Sequence, residues 1–451
     1  VTTRRVVATG LGVVSALGNN VDEFWQACLD GVSVVEPVPE RWSRYYESRS
    51  RSWSPLRPPD YAAYGLKRAD ILRYDPVVLN AIVATDDALD NAGFHRTVAD
   101  QRTRRFKLQG VDADRMGVFI GTGLGCISSA FNNYVPHLLR NAADSLFDDS
   151  ASLGEPATEL AGNLGEHPRV SPFASVQSMA NAIGAQISIR YGSRGATETL
   201  VYACAAGTAA IGRALRAIQH GEIDLAIVGG SEYYDDHAGG VFMAFDRLQT
   251  LVDPSDPADR GNRPFDADRS GFLFSQGGAG IVILESEDHA RARGVAALAI
   301  VRGMSITSDG NSLAAIAEDN NAIELMLSNL LRDSELAADD IDYVNGHGTS
   351  TVQNDPLEAG ILERFFPSRP LVNSTKGLLG HTIGASGALE FIVTVLSMRD
   401  GIVHGCRNLD RPVVELNFPR GATGAEIEFA VTHSFGFGGH NAGVLVENPA
   451  R

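Results

Sequence analysis

The sequence predicts an α/β protein with mixed or parallel sheets, organised as two closely packed halves. Three observations carry this. Short apolar runs alternate with helical patterns along the chain, which is how a helix-covered sheet reads in sequence. Alanine-rich helical segments are apolar almost all round, as helices buried between layers are. The chain has 451 residues, more than one small core usually holds.

In chain order, RRVVATGLG opens as a strand running into a glycine turn, and VDEFWQACLDG follows as a helix. PVVLNAIVATDDALDNAG is the first of the all-round apolar helices. MGVFIGTG is a strand, and Gly121-Thr122-Gly123-Leu124-Gly125 makes the tight turn from it into the next helix. These glycines imitate a dinucleotide fingerprint but lack its full spacing and a convincing ribose-binding acid downstream. AAIGRALRAIQHGEID is an amphipathic helix; DLAIVGG, AGIVILE and ALAIVRGM are strands. The polar stretch HARARG, residues 289–294, marks a crossing from one half to the other. YVNGHG and GVLVENP are strands of the second half, with GALEFIVTVLSMRDG a buried helix between them. Residues 37–75 and 141–170, rich in Arg, Pro, Asp and Gly, read as long surface excursions. No exact repeat relates the halves.

Composition narrows the partners. A net charge of -17 argues against nucleic acid and anionic membranes, which attract a basic face. No apolar stretch approaches the roughly 20 residues of a spanning helix, and TTRRVVATGLGVVSAL reads as strand and turn, not as a signal segment, so a cytoplasmic location is expected. Cys28, Cys126, Cys204 and Cys406 are scattered without a CxxC pair and read as free thiols.

Cys204 stands in Tyr202-Ala203-Cys204-Ala205-Ala206-Gly207-Thr208, directly before a helix. Unpaired N–H groups and the positive end of the helix dipole there stabilise a thiolate, so a lowered thiol pKa and a nucleophile are expected. Without partners elsewhere such a cysteine is ordinary packing. Partners exist: His347 in VNGHGTST, His381 in STKGLLGHTIGASGALE, and the run Ser434-Phe435-Gly436-Phe437-Gly438-Gly439. A cysteine with distant histidines is the pattern of a site assembled by the fold. Extending a thioester chain needs a nucleophile for one acyl group, a site for the enolate left when a malonyl thioester loses carbon dioxide, and donors for a tetrahedral oxyanion. Cys204 supplies the first, the imidazole N–H groups of His347 and His381 the second, and backbone N–H groups at Cys204 and in the glycine turn the third. A zinc site from Cys204, His347 and His381 lacks the short ligand spacings of a metal signal, so no metal is expected.

Together and in this order, these segments resemble the β-ketoacyl-acyl-carrier-protein synthases, the elongating ketosynthases of type II fatty acid and polyketide synthases within the thiolase-like condensing enzymes. The resemblance runs from RRVVATGLGVVSALG to FGFGGHNAGVLV. It implies a thiolase-like five-layered αβαβα fold of two related halves, residues 1–288 carrying Cys204 and residues 289–451 carrying the two histidines, the lysine and the FGFGG gate. It implies a decarboxylative Claisen condensation of a Cys-bound acyl group with malonyl-acyl carrier protein, with no cofactor beyond the phosphopantetheine that carries both substrates.

Residue by residue, the resemblance gives Lys376, one of only three lysines with Lys67 and Lys107, a place beside the active site, paired with Glu390 and biasing histidine protonation. Phe437 would gate the acyl pocket, flanked by Gly436 and Gly438, with its N–H and that of Cys204 forming the oxyanion hole. Thr349 and Thr351 would line the phosphopantetheine tunnel. Lys67, Arg68 and Arg73 would dock the acidic carrier protein. A dimer is implied, with a second copy or with a chain-length-factor-like subunit. Two departures bear on pathway: Gln276 stands where most relatives carry an acid, in a segment about one residue longer, and TSDGNSLAAIAEDNNA lacks the stretch usual in fatty-acid-elongating relatives. The competing readings are a thiolase, which uses a second cysteine where this chain has FGFGGHN, and a non-catalytic chain-length-factor-like subunit, which lacks the nucleophile. Acyl length, number of extensions and the choice between fatty acid and polyketide stay open.

Overall fold

The structure, a computed structural model, describes residues 3–43, 46–102, 104–135, 170–316 and 321–450. Of the surface excursion expected at 141–170, residues 141–169 lie outside the described residues. The first half contributes strands β1 (Val6–Val14), β2 (Met116–Thr122), β3 (Thr197–Val201), β4 (Leu225–Tyr233) and β5 (Gly277–Ser286). The second contributes β6 (Ala299–Ser308), β7 (Tyr343–Asn345), β8 (Leu371–Asn373), β9 (Phe429–Gly436) and β10 (His440–Glu447).

The spatial order is β1-β5-β4-β2-β3 in one half and β6-β10-β9-β7-β8 in the other. The directions repeat as well. In each half the first strand pairs antiparallel with the fifth and the fifth antiparallel with the fourth, whereas the second pairs parallel with both the fourth and the third. Two copies of one topology therefore build the molecule, although the sequence shows no exact repeat. Among the described residues their sheets meet at two residue pairs between β1 and β6, Val7 with Ile300 and Ala8 with Ala299.

Helices complete the layers: α1 (Pro76–Asn91) and α2 (Ala182–Tyr191) outside the first sheet, α3 (Ala206–Gln219) and α6 (Ser386–Asp400) between the sheets, α4 (Asn321–Asp333) and α5 (Asn354–Phe365) outside the second. This is the αβαβα stack. Every residue of α6 from Ser386 to Met398 is buried, as an all-round apolar helix requires. The similarly apolar α1 lies in an outer layer, not between the sheets. Its second face is covered by Leu56, Leu66, Tyr61 and Tyr64, so a folded-back excursion does what a second sheet does for α6. Conversely, α3 reads as amphipathic but sits in the central layer, because alanines rather than large apolar residues fill its second face.

The central layer is tight where it must position the site. A methyl group on Gly207 would approach the Ala388 nitrogen at 2.7 Å, and one on Gly387 would reach the Thr208 hydroxyl at 2.1 Å. Only glycine lets α3 and α6 cross this closely. Both helices are entered through a 3₁₀ turn, Ala203–Ala205 before α3 and Ile383–Ala385 before α6, and the two turns pack against each other. The first carries Cys204; the second follows His381 by two residues. The twofold repetition of the fold thus brings the nucleophile of one half to the histidine loop of the other.

Candidate active site

Cys204 is held by an elbow. Strand β3 ends at Val201, and Ala203 adopts φ +47°, a left-handed conformation for a residue with a Cβ, before α3 begins at Ala206. Such a conformation costs on the order of 1–3 kcal/mol and persists only when the surroundings over-determine it. The facing loop repeats it, with Ile383 at φ +50°.

Around the elbow lies a cavity of about 370 Å³ lined by Cys204, His347, His381, Thr349, Thr351 and the turn Gly436–Gly438. The ring centroids of His347 and His381 are 5.6 Å apart in an edge-to-face arrangement. Residues separated by as many as 234 positions therefore share one pocket. Phe437 is half-buried and stacks on Phe245 at 6.3 Å, so it forms part of an aromatic wall continuing through Phe272 and Phe274.

The thiol differs from the sequence expectation. Burial pushes Cys204 up to about 12, opposed by the Lys376 ammonium and the backbone N–H groups of Phe437 and of Cys204 itself. The helix-end environment is real, but the thiol is sealed in an apolar cluster with Tyr234, Phe242 and Ile383, and desolvation of the thiolate outweighs it. The N–H groups of Phe437 and of Cys204 itself both face the sulfur.

Both histidines are held neutral. Burial pushes His347 and His381 well below the usual imidazole range, and the Lys376 ammonium adds to this. The tautomer of His381 follows from its partners: Nδ1 accepts the Ile383 N–H at 3.3 Å and lies 3.0 Å from the Ser386 hydroxyl. Its proton therefore resides on Nε2, a donor. Lys376 and Glu390 form a buried ion pair outside the cavity lining. Thr349 and Thr351 share a 2.8 Å hydroxyl–hydroxyl contact at the cavity wall.

Gly436 has to be glycine. A methyl group there would stand 2.7 Å from the Tyr202 carbonyl oxygen and 3.3 Å from the Cys204 nitrogen. The turn can approach the elbow only because no Cβ intervenes.

Lys67, Arg68 and Arg73 are exposed and away from this cavity. Lys67 and Arg73 border a separate groove of about 770 Å³ that also receives Arg102, Arg104 and Arg190. Gln276 ties a loop to the end of β4: its carbonyl oxygen accepts the Leu56 N–H at 2.7 Å, and its amide donates to the Tyr233 hydroxyl at 3.1 Å and to Asp235 at 3.2 Å.

Sequence reasoning missed the acids behind the histidine loop. Asp355 accepts N–H groups from Thr349 at 3.0 Å and Phe265 at 2.7 Å, and Glu358 accepts those of His347 at 2.7 Å and Gly348 at 2.8 Å. Both sit in the first turns of α5. Their signal was present: two acids three residues apart at a helix start, directly after a glycine- and threonine-rich loop.

Comparison with known proteins places the whole chain in one family. Residues 3–290 match the family described as beta-ketoacyl synthase, N-terminal domain, and residues 298–410 match beta-ketoacyl synthase, C-terminal domain. The 3-oxoacyl-[acyl-carrier-protein] synthase 2 of Rhizobium meliloti is 33% identical over 98% of both chains, and that of Vibrio harveyi is 30% identical over 99% of both. Among solved structures, a beta-ketoacyl synthase from Burkholderia phymatum superposes with a TM-score of 0.80 at 28% identity, covering 99% of each chain. The ishigamide ketosynthase/chain length factor superposes at 0.79 with 25% identity, also covering 99% of each. Among the described residues, no helix is long and apolar enough to cross a membrane.

Proposed function

The chain belongs to the β-ketoacyl synthase family and is a condensing acyltransferase, and from that premise we propose how its own residues divide the reaction. The Cys204 sulfur attacks the carbonyl of an acyl thioester on a carrier protein. A carbon–sulfur bond forms, the carrier thiol leaves with the proton that Cys204 gives up, and the acyl group stays on the enzyme. Malonyl thioester then enters the same cavity. Its carboxylate departs as carbon dioxide, and the electron pair left behind is held as an enolate whose oxygen accepts hydrogen bonds from His381 Nε2 and from the His347 imidazole. The enolate carbon attacks the Cys204 thioester, the oxyanion lies between the N–H groups of Cys204 and Phe437, and collapse returns the sulfur, which takes up one proton.

The reaction as written balances without a cofactor, both substrates arriving as phosphopantetheine thioesters. One observation carries the assignment. Cys204, both histidines and the Phe437 turn line one cavity, and the two loops that supply Cys204 and His381 are equivalent elbows of a repeated topology. Neutral histidines suit the role, because the N–H of a neutral imidazole hydrogen-bonds a forming enolate without transferring its proton to it. Thr349 and Thr351 are then the hydroxyls available to the amides of the pantetheine arm. The curated relatives are named for acyl carrier protein. A groove bordered by Lys67 and Arg73 on a chain of net charge -17, with Arg68 nearby, supports docking of an acidic carrier there.

The protein is further read as a dimer, with its own copy or with a chain-length-factor-like subunit such as the ishigamide structure names. Support comes from β3, an edge strand, and from Val176, Met179 and Ile189 in the segments leading to it and Val201 at its end, each about half exposed. The experiment is mass spectrometry of the enzyme after incubation with a panel of acyl carrier-protein thioesters, together with a condensation assay of Cys204→Ala. The reading expects an acyl adduct on Cys204 and no condensation by the folded variant; full condensing activity in Cys204→Ala sinks it.

A further inference from the structure

His433 lies in β9, one residue before the Ser434-Phe435-Gly436 run, and is fully buried. The reaction as described above gives it nothing to do. Two separate routes nevertheless lead from its ring to His347. Its Nε2 lies 2.7 Å from Glu358 Oε1, and the same oxygen accepts the His347 backbone N–H at 2.7 Å. The other oxygen of Glu358 accepts the Gly348 N–H and the Asn354 amide, each at 2.8 Å. The second route is through rings. His433 stacks on Phe435 with centroids 5.0 Å apart at 16°, and Phe435 packs edge-on against the His347 ring at 5.4 Å and 61°.

The His347 and Gly348 backbone N–H groups and the Asn354 amide can only donate, so Glu358 is held as a carboxylate, which accepts only, and the His433 Nε2 facing it carries the proton. Burial alone would push its carboxyl up; the hydrogen bond from His433 and those from Gly348 and Asn354 more than reverse this and hold it below the usual range. A buried anion stays in place only while its donors do. Removing the His433 nitrogen would loosen the carboxylate that anchors the His347 loop, and removing its ring would unseat Phe435.

We propose that His433 is a positioning residue for malonyl decarboxylation, fixing the backbone of His347 through Glu358 and the tilt of its ring through Phe435. The inference rests on the role given to His347 above. Misplacing a catalytic group by about 1 Å costs up to about 10²-fold. The effect falls on the half-reaction that uses the histidine, not on acyl transfer to Cys204.

The test measures carbon dioxide release from malonyl carrier protein and, separately, acylation of Cys204 by mass spectrometry. It compares the full-length wild type, His433→Leu, His433→Gln, His433→Phe and His347→Ala, each checked for fold by circular dichroism. The glutamine nitrogen stands as many bonds from Cβ as Nε2 does and reaches Glu358. The Leu and Phe variants are expected to lose decarboxylation kcat by about 10–100-fold, with KM and acylation held within about threefold, and Gln to restore most of it. Phe keeps a ring against Phe435 but no donor, so it stands in if Leu does not fold. Normal decarboxylation in a folded Leu or Phe variant overturns the inference, as does equal impairment in Gln or an equal fall in acylation. Normal decarboxylation in His347→Ala sinks the role of His347 instead; loss there beside a normal His433→Leu sinks only the positioning role.

Discussion

Lys376 and Glu390, fourteen residues apart, are sealed against each other with each side chain 2% exposed. The ammonium also lowers the affinity of His347 and His381 for a proton. Lys376→Met leaves Glu390 as an unpaired buried carboxylate and is expected to cost about 3–5 kcal/mol in urea unfolding, whereas Lys376→Met with Glu390→Met recovers much of that loss. Both proteins should decarboxylate poorly, since neither supplies the charge. A single variant as stable as the double would show that the pair is not coupled.

Gly436→Ala should be folded and nearly inactive. The added methyl collides with Tyr202 and crowds the Cys204 amide, so the turn carrying the Phe437 N–H has to withdraw from the sulfur. Losing one oxyanion donor costs about 10²–10³ in kcat. Gly424→Ala, on an exposed two-residue strand with no side-chain neighbour nearby, serves as the control and should be indistinguishable from wild type. Steady-state condensation assays on the two proteins decide it.

How much of this was legible in the sequence differs by residue. Cys204, His347, His381 and the glycine turn stood in motifs, because close approach of backbone to reacting atoms restricts residue type so strongly that it leaves a local signature. Asp355 and Glu358 left only the weaker signal of a helix start after a loop, and His433 left none, since its partner Glu358 lies 75 residues away and the pairing of β7 with β9 brings the two segments together. The halves share a topology without an exact sequence repeat, because strand order and direction depend on burial pattern and not on identity. The thiol misled in the other direction: a helix terminus is visible in sequence, but the apolar shell that outweighs it comes from Tyr234, Phe242 and Ile383, distant in the chain.

Acid should destabilise the protein through His404. Its Nδ1 lies 3.0 Å from the Gly405 carbonyl and donates to it, and its Nε2 faces the Thr375 hydroxyl at 3.4 Å, so the buried ring is neutral. Burial pushes it down to about 4. An unfolded histidine titrates near 6.5, so below that pH the unfolded chain takes up a proton that the folded one refuses. The resulting stability is fully present above about 6.5 and is lost as pH falls toward 4, at most about 3 kcal/mol. Urea midpoints at pH 6.5 and 4.5 should therefore diverge less in His404→Asn than in wild type; equal divergence would remove His404 from the account.

Light scattering should report twice the chain mass for the active protein, purified alone or with a ketosynthase-like partner. The exposed apolar residues Met179 and Ile189 lead to an edge strand, ending at Val201, that a second subunit would extend. Ile189→Lys with Val201→Lys should yield a folded monomer with reduced condensation. A fully active monomer would exclude both forms of dimer.

The most direct measurement is carbon dioxide release from malonyl carrier protein by Cys204→Gln, alone and combined with His347→Ala or His381→Ala. Decarboxylation as proposed uses the histidines and not the thiol, so Cys204→Gln should release carbon dioxide at or above the wild-type rate, and each added histidine change should lower it by about 10²–10³. Undiminished release in both combined variants, or none from Cys204→Gln itself, would contradict the division of labour between the two halves.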